Sequence, residues 1–537
     1  MPRVTVSFKD EKRVINTERG KILLELLREN GIGLIAPCGG EGSCGKCRVK
    51  VTGPASELPV PLTETERRHL SSKEIDTGIR LACKTRVIND LQIELIPESI
   101  IDGNDGGILT AGSLNQITLE SETTEVHHNN YGLVIDLGTT TIVIYLLSLF
   151  TGEEIDLEAM VNPQHIYGAD VISRINYTLK EREGRSRLKN ILVTALNQGI
   201  DRLVERNKLQ KNDILSTSIA GNTVMLHLLR GINTETMARA PYKPVFTDAQ
   251  ELSPGEIGME MNSTGKVYLL PSISSFVGAD IIADLLVTNF KDAGWRLLLD
   301  IGTNGEIILG NQHKVLACST AAGPAFEGSN ISCGMAGIKG AISHYRFDRK
   351  GHREYTTIGK GDPRGICGSG LVDIIAELLK KGMIDKTGAF TGKQKSFLVL
   401  PAKETASGQD ILLTQKDIRE FQLAVGAIRA GISILMKEAS ITFDGIEVVY
   451  LAGGFGNFID TESACLTGII PLQLKDKVIK IGNGAGSGAK LYLLNQEARK
   501  RAEMIKKKAV YIELSGRNDF QEEFIKSLEF PPLSNCL

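Results

Sequence analysis

The sequence predicts an α/β protein in two unequal parts, a small α+β domain at the N-terminus followed by a larger α/β domain built by duplication. Three observations predict this. Four of the nine cysteines fall within the first 83 residues, among short alternating strands. An apolar strand, an aspartate, a glycine-bearing turn and a second strand recur as a unit twice farther along. A polar stretch rich in glycine, asparagine and serine separates the two patterns.

The 537 residues are enough for two or three separate cores. With 62 basic against 64 acidic residues, the chain has no electrostatic footprint for nucleic acid. The most apolar stretch, Gly132 to Phe150, is broken by Asp136 and Thr139-Thr140-Thr141, which suits a β-hairpin better than a bilayer span. Met1-Pro2-Arg3 runs directly into the strand-like Val4–Phe8, which reads as the absence of a secretory leader and predicts a cytoplasmic protein.

The first part, residues 1–97, is organised around Cys38-Gly-Gly-Glu-Gly-Ser-Cys44-Gly-Lys-Cys47 and the distant Cys83. Four thiolates suit zinc or an iron–sulfur cluster. Zinc ribbons pair their ligands as two C-x2-C knuckles, and the second knuckle is missing. Three cysteines on one loop with a lone fourth follow the plant-type [2Fe–2S] pattern, here with one extra residue as in the ferredoxins that serve hydroxylases. Structural zinc and a redox-active Cys44/Cys47 pair are the alternatives. Four of the seven other residues between Cys38 and Cys47 are glycine, as a loop turning its N–H groups toward sulfur requires. Strands near 3–8 and 12–16, a helix over Gly20–Asn30, a strand over Arg48–Thr52 and a closing strand at Leu91–Ile96 predict a β-grasp ferredoxin-like domain.

Residues 98–130 read as a linker, with a short strand at Gln116–Glu120; the adjacent His127 and His128 read as part of a solvated tether rather than a metal site.

The third part, 131–537, carries the repeat. Its copies are Leu133-Val-Ile-Asp136-Leu-Gly138-Thr139-Thr140-Thr141 and Leu297-Leu-Leu-Asp300-Ile-Gly302-Thr303-Asn304-Gly305-Glu306. A later strand ends in glycine in each half, at Ser218-Ile-Ala-Gly221-Asn222-Thr223 and at Leu451-Ala-Gly453-Gly454-Phe455-Gly456. This pairing predicts a duplicated domain with lobes near 131–290 and 291–515 and a C-terminal tail. Such turns offer backbone N–H groups to phosphate oxygens, and an aspartate at the strand end can hold Mg2+ through water. No P-loop motif is present.

The two hairpins and the glycine turn, in this order, resemble the acetate and sugar kinase/Hsc70/actin superfamily. The resemblance implies an actin-like (ribonuclease H-like) ATPase with phosphate loops at 136–141 and 300–306 and an adenosine motif at 451–456. Phe276-Val-Gly278-Ala-Asp280 resembles the segment connecting the lobes, which makes Asp280 a candidate to orient water; Asp170 is a weaker one. A competing glycine run, Gly482-Asn-Gly484-Ala-Gly486-Ser-Gly488-Ala489, fits G-x-G-x-x-A, but no second βαβ half follows, so a helix start near the cleft is the preferred reading. Cys318, Cys333, Cys367 and Cys465 read as small buried residues.

A one-electron carrier joined to an ATPase resembles the reductive activators of corrinoid proteins. Further segments carry the likeness: Asn162–Ile175, Ala220–Met225, Ala321–Gly328 and Gly365–Asp373. The resemblance implies ATP-dependent transfer of one electron to an inactive Co(II) corrinoid protein of a methyltransferase system, recharging by a low-potential donor, and a homodimer. The polar segment Ser319–Ser332, just after the second phosphate hairpin, is a candidate corrinoid contact. Many members carry an additional small domain between the two parts, for which residues 98–130 leave no room. The alternatives are a small-molecule kinase or ATPase with a redox-regulatory domain, an activator of a radical-type dehydratase, and an ATP-switched binding module.

Overall fold

The computed structural model describes all residues except 9–10, 35, 37, 43, 53–60, 97–129, 303, 329 and 533–537. The strand at Gln116–Glu120, His127, His128, Thr303, Cys536 and nearly all of the linker lie outside the described residues. The chain divides into two units: Met1–Asn104 with Val161–Leu192, and Asp105–Met160 with Val193–Leu537. No helix among the described residues is long and apolar enough to cross a membrane.

In the first unit, β1 (Arg3–Phe8) and β2 (Glu11–Asn16) form a hairpin, followed by the short β3 (Lys21–Ile22) and α1 (Leu23–Glu29). Then come β4 (Arg48–Val51), α2 (Glu64–His69), α3 (Ser72–Asp76), β5 (Ile79–Leu81), β6 (Arg86–Val87) and β7 (Leu91–Leu95). The sheet order is β2-β1-β7-β4-β5, with β1 and β7 parallel. Alternation in β1 and β7 sends Val4, Val6, Leu91 and Ile93 to one face, where they meet Leu23, Leu26 and Leu27 of α1 in a common core. This is the β-grasp arrangement. The helix starts later than Gly20, because Lys21 and Ile22 pair with Val87 and Arg86 instead of winding.

Glu66 has two tasks here. It completes the capping box of α2 with Thr63, and it forms a bidentate pair with Arg80 at 2.7 and 3.0 Å, both side chains being buried. Burial opposes its charge, but Arg80 and the Thr63 amide outweigh that and hold the carboxyl below the ordinary value. A depressed acid stabilises the fold above its unfolded pKa and loses that contribution as pH falls through the folded value. Glu66→Gln leaves Arg80 buried without its counter-charge, at an expected cost of ~3–5 kcal/mol. Amide exchange at Leu81, whose N–H donates to Glu66, is the measurement; unchanged protection would refute the assignment. The variant is also expected to lose the fall in stability that sets in as pH drops below the ordinary glutamate value and through the lowered folded one.

The remainder of this unit is short and firmly capped. Asn162 caps the turn Pro163–Ile166, and Asp170 caps the helix Val171–Lys180 through the Ser173 amide and hydroxyl, both at 2.8 Å. The weaker catalytic candidate Asp170 is thus engaged as a helix cap.

The second unit shows the duplication in its sheets. In the first, the strands run Glu154–Val161, Thr141–Ser148, Tyr131–Leu137, Ile214–Gly221, Lys266–Leu269 and Gln250–Leu252 from edge to edge. In the second, Val315–Thr320, Gly305–Gly310, Trp295–Ile301, Ile446–Ala452 and Val478–Gly482 repeat the first five positions, with Ala509–Tyr511 beside Val315–Thr320. Each copy has a central strand with its hairpin partner antiparallel on one side and a later strand parallel on the other. The segment beyond 515 is folded against the long helix Gln415–Ala439: Arg429 donates to the Ser527 carbonyl at 2.9 Å and Gln422 to that of Leu528 at 2.7 Å.

Candidate functional site

The thiol loop lies between α1 and β4. Gly39, Gly40, Gly42 and Gly45 all have positive φ, between 64° and 108°, so the backbone wraps the cysteines as the glycine count requires. The Gly42 N–H points at the Cys38 sulfur, 3.3 Å away. The sulfurs fall into two pairs. Cys44 Sγ lies 3.3 Å from Cys38 Sγ, and Cys83 donates to Cys47. The Cys44 thiol lowers Cys38 to about 4, while the same bond pushes Cys44 up. Among the described residues, no three or more metal-binding side chains gather as one ion requires. Two thiol pairs therefore suit a centre of two irons, each held by two sulfurs, better than a single tetrahedral zinc.

The second centre lies in the other unit, where the two hairpins face a common cleft. Asp136 and Asp300 occupy equivalent places, each one residue before the end of its strand, opposite Val143 and Glu306 respectively. Asp280 stands in the first turn of the helix Ala279–Val287, whose cap is Gly278, and Asp284 follows one turn later. Together with Glu306 these make five carboxylates, Asp284 and Glu306 buried and the other three half-buried, and among the described residues none has a lysine or arginine partner. Burial raises Asp136 to about 6 against the opposing Asn483 bond. Burial, with the neighbouring carboxylates adding, raises Asp280 and Asp300 to about 7. Asp284 and Glu306 are pushed well above their ordinary values for the same reasons, and Asp284 Oδ2 has no hydrogen-bond partner. Among the described residues no three of these acids gather as direct ligands of one ion, so a divalent cation relieving their mutual repulsion would be held through its own water.

Other side chains frame this group. Asn483 Nδ2 donates to Asp136 at 2.8 Å, and its Oδ1 caps the helix Gly484–Leu494. The glycine run there is thus a helix start at the cleft. Thr140 Oγ1 donates to Glu327 at 3.1 Å, and Phe326, beside Glu327, stacks on Phe455 with ring centres 4.5 Å apart. Phe455 therefore supports the turn that carries Glu327. A Cβ at Gly138 would lie 2.5 Å from the Thr141 carbonyl, and one at Gly453, where φ is +79°, 2.3 Å from Asp300 Oδ1. Gly454 has open space instead, and a Cβ at Gly302 would meet only the Asn304 carbonyl, 4.0 Å away, as backbone that a ligand approaches would allow. Asn304 bonds Glu306, and Gly456 closes against Leu451. Within Ser319–Ser332, Phe326 is core and Ser332 bonds Asp417 at 2.7 Å.

Sequence reasoning missed Asp284, Glu306, Glu327 and Asn483 as site residues. Asp284 had a signal, since it stands four positions after Asp280 on the same helical face. Glu306 was inside the second hairpin motif. Of the late cysteines, Cys318, Cys367 and Cys465 are buried as expected, and Cys333 is half-buried.

Three family profiles cover most of the chain. The profile described as a 2Fe-2S iron-sulfur cluster binding domain covers residues 7–87. The profile of the RACo middle region covers 131–293, and that of the C-terminal domain of RACo, the ASKHA domain, covers 295–535. The chain is 36% identical over 418 residues to the "Corrinoid activation enzyme RamQ" of Eubacterium limosum, covering 74% of this chain and 70% of the other. It is 28% identical over 385 residues to a "[Co(II) methylated amine-specific corrinoid protein] reductase" of Methanosarcina barkeri, covering 66% and 68%. A solved "Reductive activator for corrinoid,iron-sulfur protein" superposes with TM-score 0.70 at 28% identity, over 99% of both chains. With an N-terminal iron–sulfur domain, a duplicated actin-like domain and these relatives along most of its length, the chain belongs to the family of reductive activators of corrinoid proteins.

Proposed function

We propose that this protein passes one electron to the Co(II) corrinoid of a methyltransferase partner, returning it to Co(I), at the expense of ATP hydrolysis. The observation that carries this reading is the union, in one chain of this family, of a thiol loop suited to two irons and a cleft whose carboxylates call for a cation. Cys38 and Cys44 would hold one iron of a [2Fe–2S] cluster, and Cys47 and Cys83 the other. When bound, the cluster supplies a single electron near −400 mV. Co(II)/Co(I) is a couple of very low potential, and each ~59 mV uphill costs a factor of ten for one electron. Coupling to ATP offsets that cost.

In the cleft, Gly138, Thr139 and Thr140 of the first turn and Gly302 and Asn304 of the second would offer N–H and hydroxyl or amide donors to the phosphates. Asp136 and Asp300 would bind Mg2+ through water, Asp280 would orient the attacking water, and Gly453, Gly454 and Gly456 would leave room for the adenosine. The Thr140–Glu327 bond joins the first hairpin to the second lobe, so a phosphate competing for Thr140 would be felt in both. A low-potential donor recharges the cluster, and the cytoplasm, where such donors and thiolates are kept reduced, is the compartment this chemistry suits.

The test is anaerobic visible spectroscopy of a Co(II) corrinoid protein mixed with the pre-reduced protein, with and without Mg-ATP. Growth of the Co(I) band only with ATP is expected. ATP consumption without Co(I) across several corrinoid proteins would overturn the reading and favour a kinase.

A further inference from the structure

The helix α1 turns Leu23, Leu24, Leu26 and Leu27 into the core of its domain, and its last turn buries Arg28 as well, 6% exposed. A buried guanidinium normally faces a carboxylate. Arg28 has no ion pair among the described residues. Glu29 is paired with Lys21 and Glu41 with Lys180, while Glu25, one turn earlier on α1, is exposed and acts on Arg28 only through space, without an ion pair. One bond holds it: Nη1 donates to the carbonyl of Gly39, 3.2 Å away and next in sequence to Cys38. Nε and Nη2 have no partner.

The surroundings of this charge are the thiol loop. A Cβ at Gly40 would lie 3.8 Å from Arg28 Nη1 and 3.9 Å from the Cβ of Cys83, so one loop residue separates the guanidinium from a cysteine. Arg28, Cys38 and Cys83 line one cavity of about 270 Å³ together with Tyr167, Tyr177 and Arg187. The Tyr167 ring stands over the guanidinium, 5.8 Å from Cζ, and shields it from water. A cation that is desolvated, unpaired and held on the ligand loop is costly unless an anion completes the site. A tetrathiolate cluster is such an anion, and it gains a further negative charge on reduction.

We propose that Arg28 is a positioning residue that sets the potential of the cluster, its buried positive charge favouring the reduced state while its bond to Gly39 fixes the loop. This rests on the four cysteines holding a [2Fe–2S] cluster. Charge acting across a few ångströms of low-dielectric protein is weakly screened, so its loss favours oxidation.

The test uses the full chain with its cluster, titrated spectroelectrochemically without oxygen at one pH and ionic strength. Iron and sulfide content and the visible spectrum of the unaltered protein come first; failure there defeats the cluster assignment itself. Arg28→Gln and Arg28→Met are expected to shift the reduction equilibrium about tenfold toward the oxidised state, a fall of about 59 mV for one electron. Arg28→Lys, which keeps the charge and loses the fork, is expected to stay within about threefold of the unaltered protein. Unchanged potentials in the Gln and Met variants would overturn the proposal. So would a Lys variant that falls as far as they do, because the effect would then belong to loop geometry. Should Arg28→Gln assemble too little cluster to titrate, the Met and Lys variants decide by the same criteria.

Discussion

Cys44→Ser is expected to abolish electron delivery to the corrinoid while leaving basal ATP hydrolysis in place. The side chain belongs to the Cys38–Cys44 pair, and serine offers a hard, poorly ionised oxygen where a soft thiolate is required. Losing one sulfur of a pair removes half the protein ligands of one iron. The loss of Co(I) formation should exceed the ~10–100-fold that altering a merely supporting residue costs. Iron content and the Co(I) band, read on the same preparation, check it. A variant that still activates the corrinoid protein would show that ATP alone works the switch and that the thiol loop is not the electron's route.

Asp300→Asn is the second change of large expected effect, and its consequences for function and for stability have opposite signs. Asp300 lies among Asp136, Asp280, Asp284 and Glu306, and burial first, then Asp280 and Asp136, lift it to about 7. If the cleft holds Mg2+ as proposed, removing the charge takes away one attraction for it, and a metal ion's stabilisation of a transferring phosphoryl group is worth several kcal/mol. ATP-dependent Co(I) formation is expected to fall about 100-fold or more. An acid raised in the folded state makes the fold less stable as pH rises from its unfolded value, near 3.8, to its folded one. The asparagine variant escapes that loss. In EDTA at pH 8 it is expected to melt at a higher temperature than the unaltered protein, a stability gain bought with activity. A lower melting temperature under those conditions would mean that the carboxylate is a structural anchor and not one of a mutually repelling group.

The Arg28 inference belongs to the same physical theme as Asp300. In both centres the folded chain holds like or unpartnered charge out of water, and in both the missing counter-charge is one that a bound group would bring. The two effects are separable by experiment, since one is read as a potential and the other as a nucleotide-dependent rate.

Much of this protein was legible in its sequence because the relevant signals are short-range. The spacing of Cys38, Cys44 and Cys47, the glycines between them and the alternation of Val4 with Val6 are properties of a few consecutive residues. Turn chemistry and strand period act at that scale. The same holds for the two hairpins at Asp136 and Asp300, whose recurrence pointed to duplicated sheets, and the strand order repeats accordingly. The start of α1 was less legible, since Lys21 and Ile22 are drawn into a pairing with residues more than 60 positions away.

What the tertiary structure alone decided are the contacts that close over long sequence distances. Asn483 reaches Asp136 across 347 positions and Thr140 reaches Glu327 across 187, and neither pair carries a local pattern that announces it. Asp170 and Asp280 looked alike in sequence, each following a Gly-Ala step and preceding a pair of apolar β-branched residues. Packing made the first a helix cap and placed the second among the carboxylates of the cleft. Nothing in the local sequence marks Arg28; only the fold shows that its charge is buried, without an ion pair among the described residues, and set against the thiol loop. Charge and hydrogen bonding gain their chemical meaning from burial, and burial is a property of the assembled core rather than of any stretch of chain.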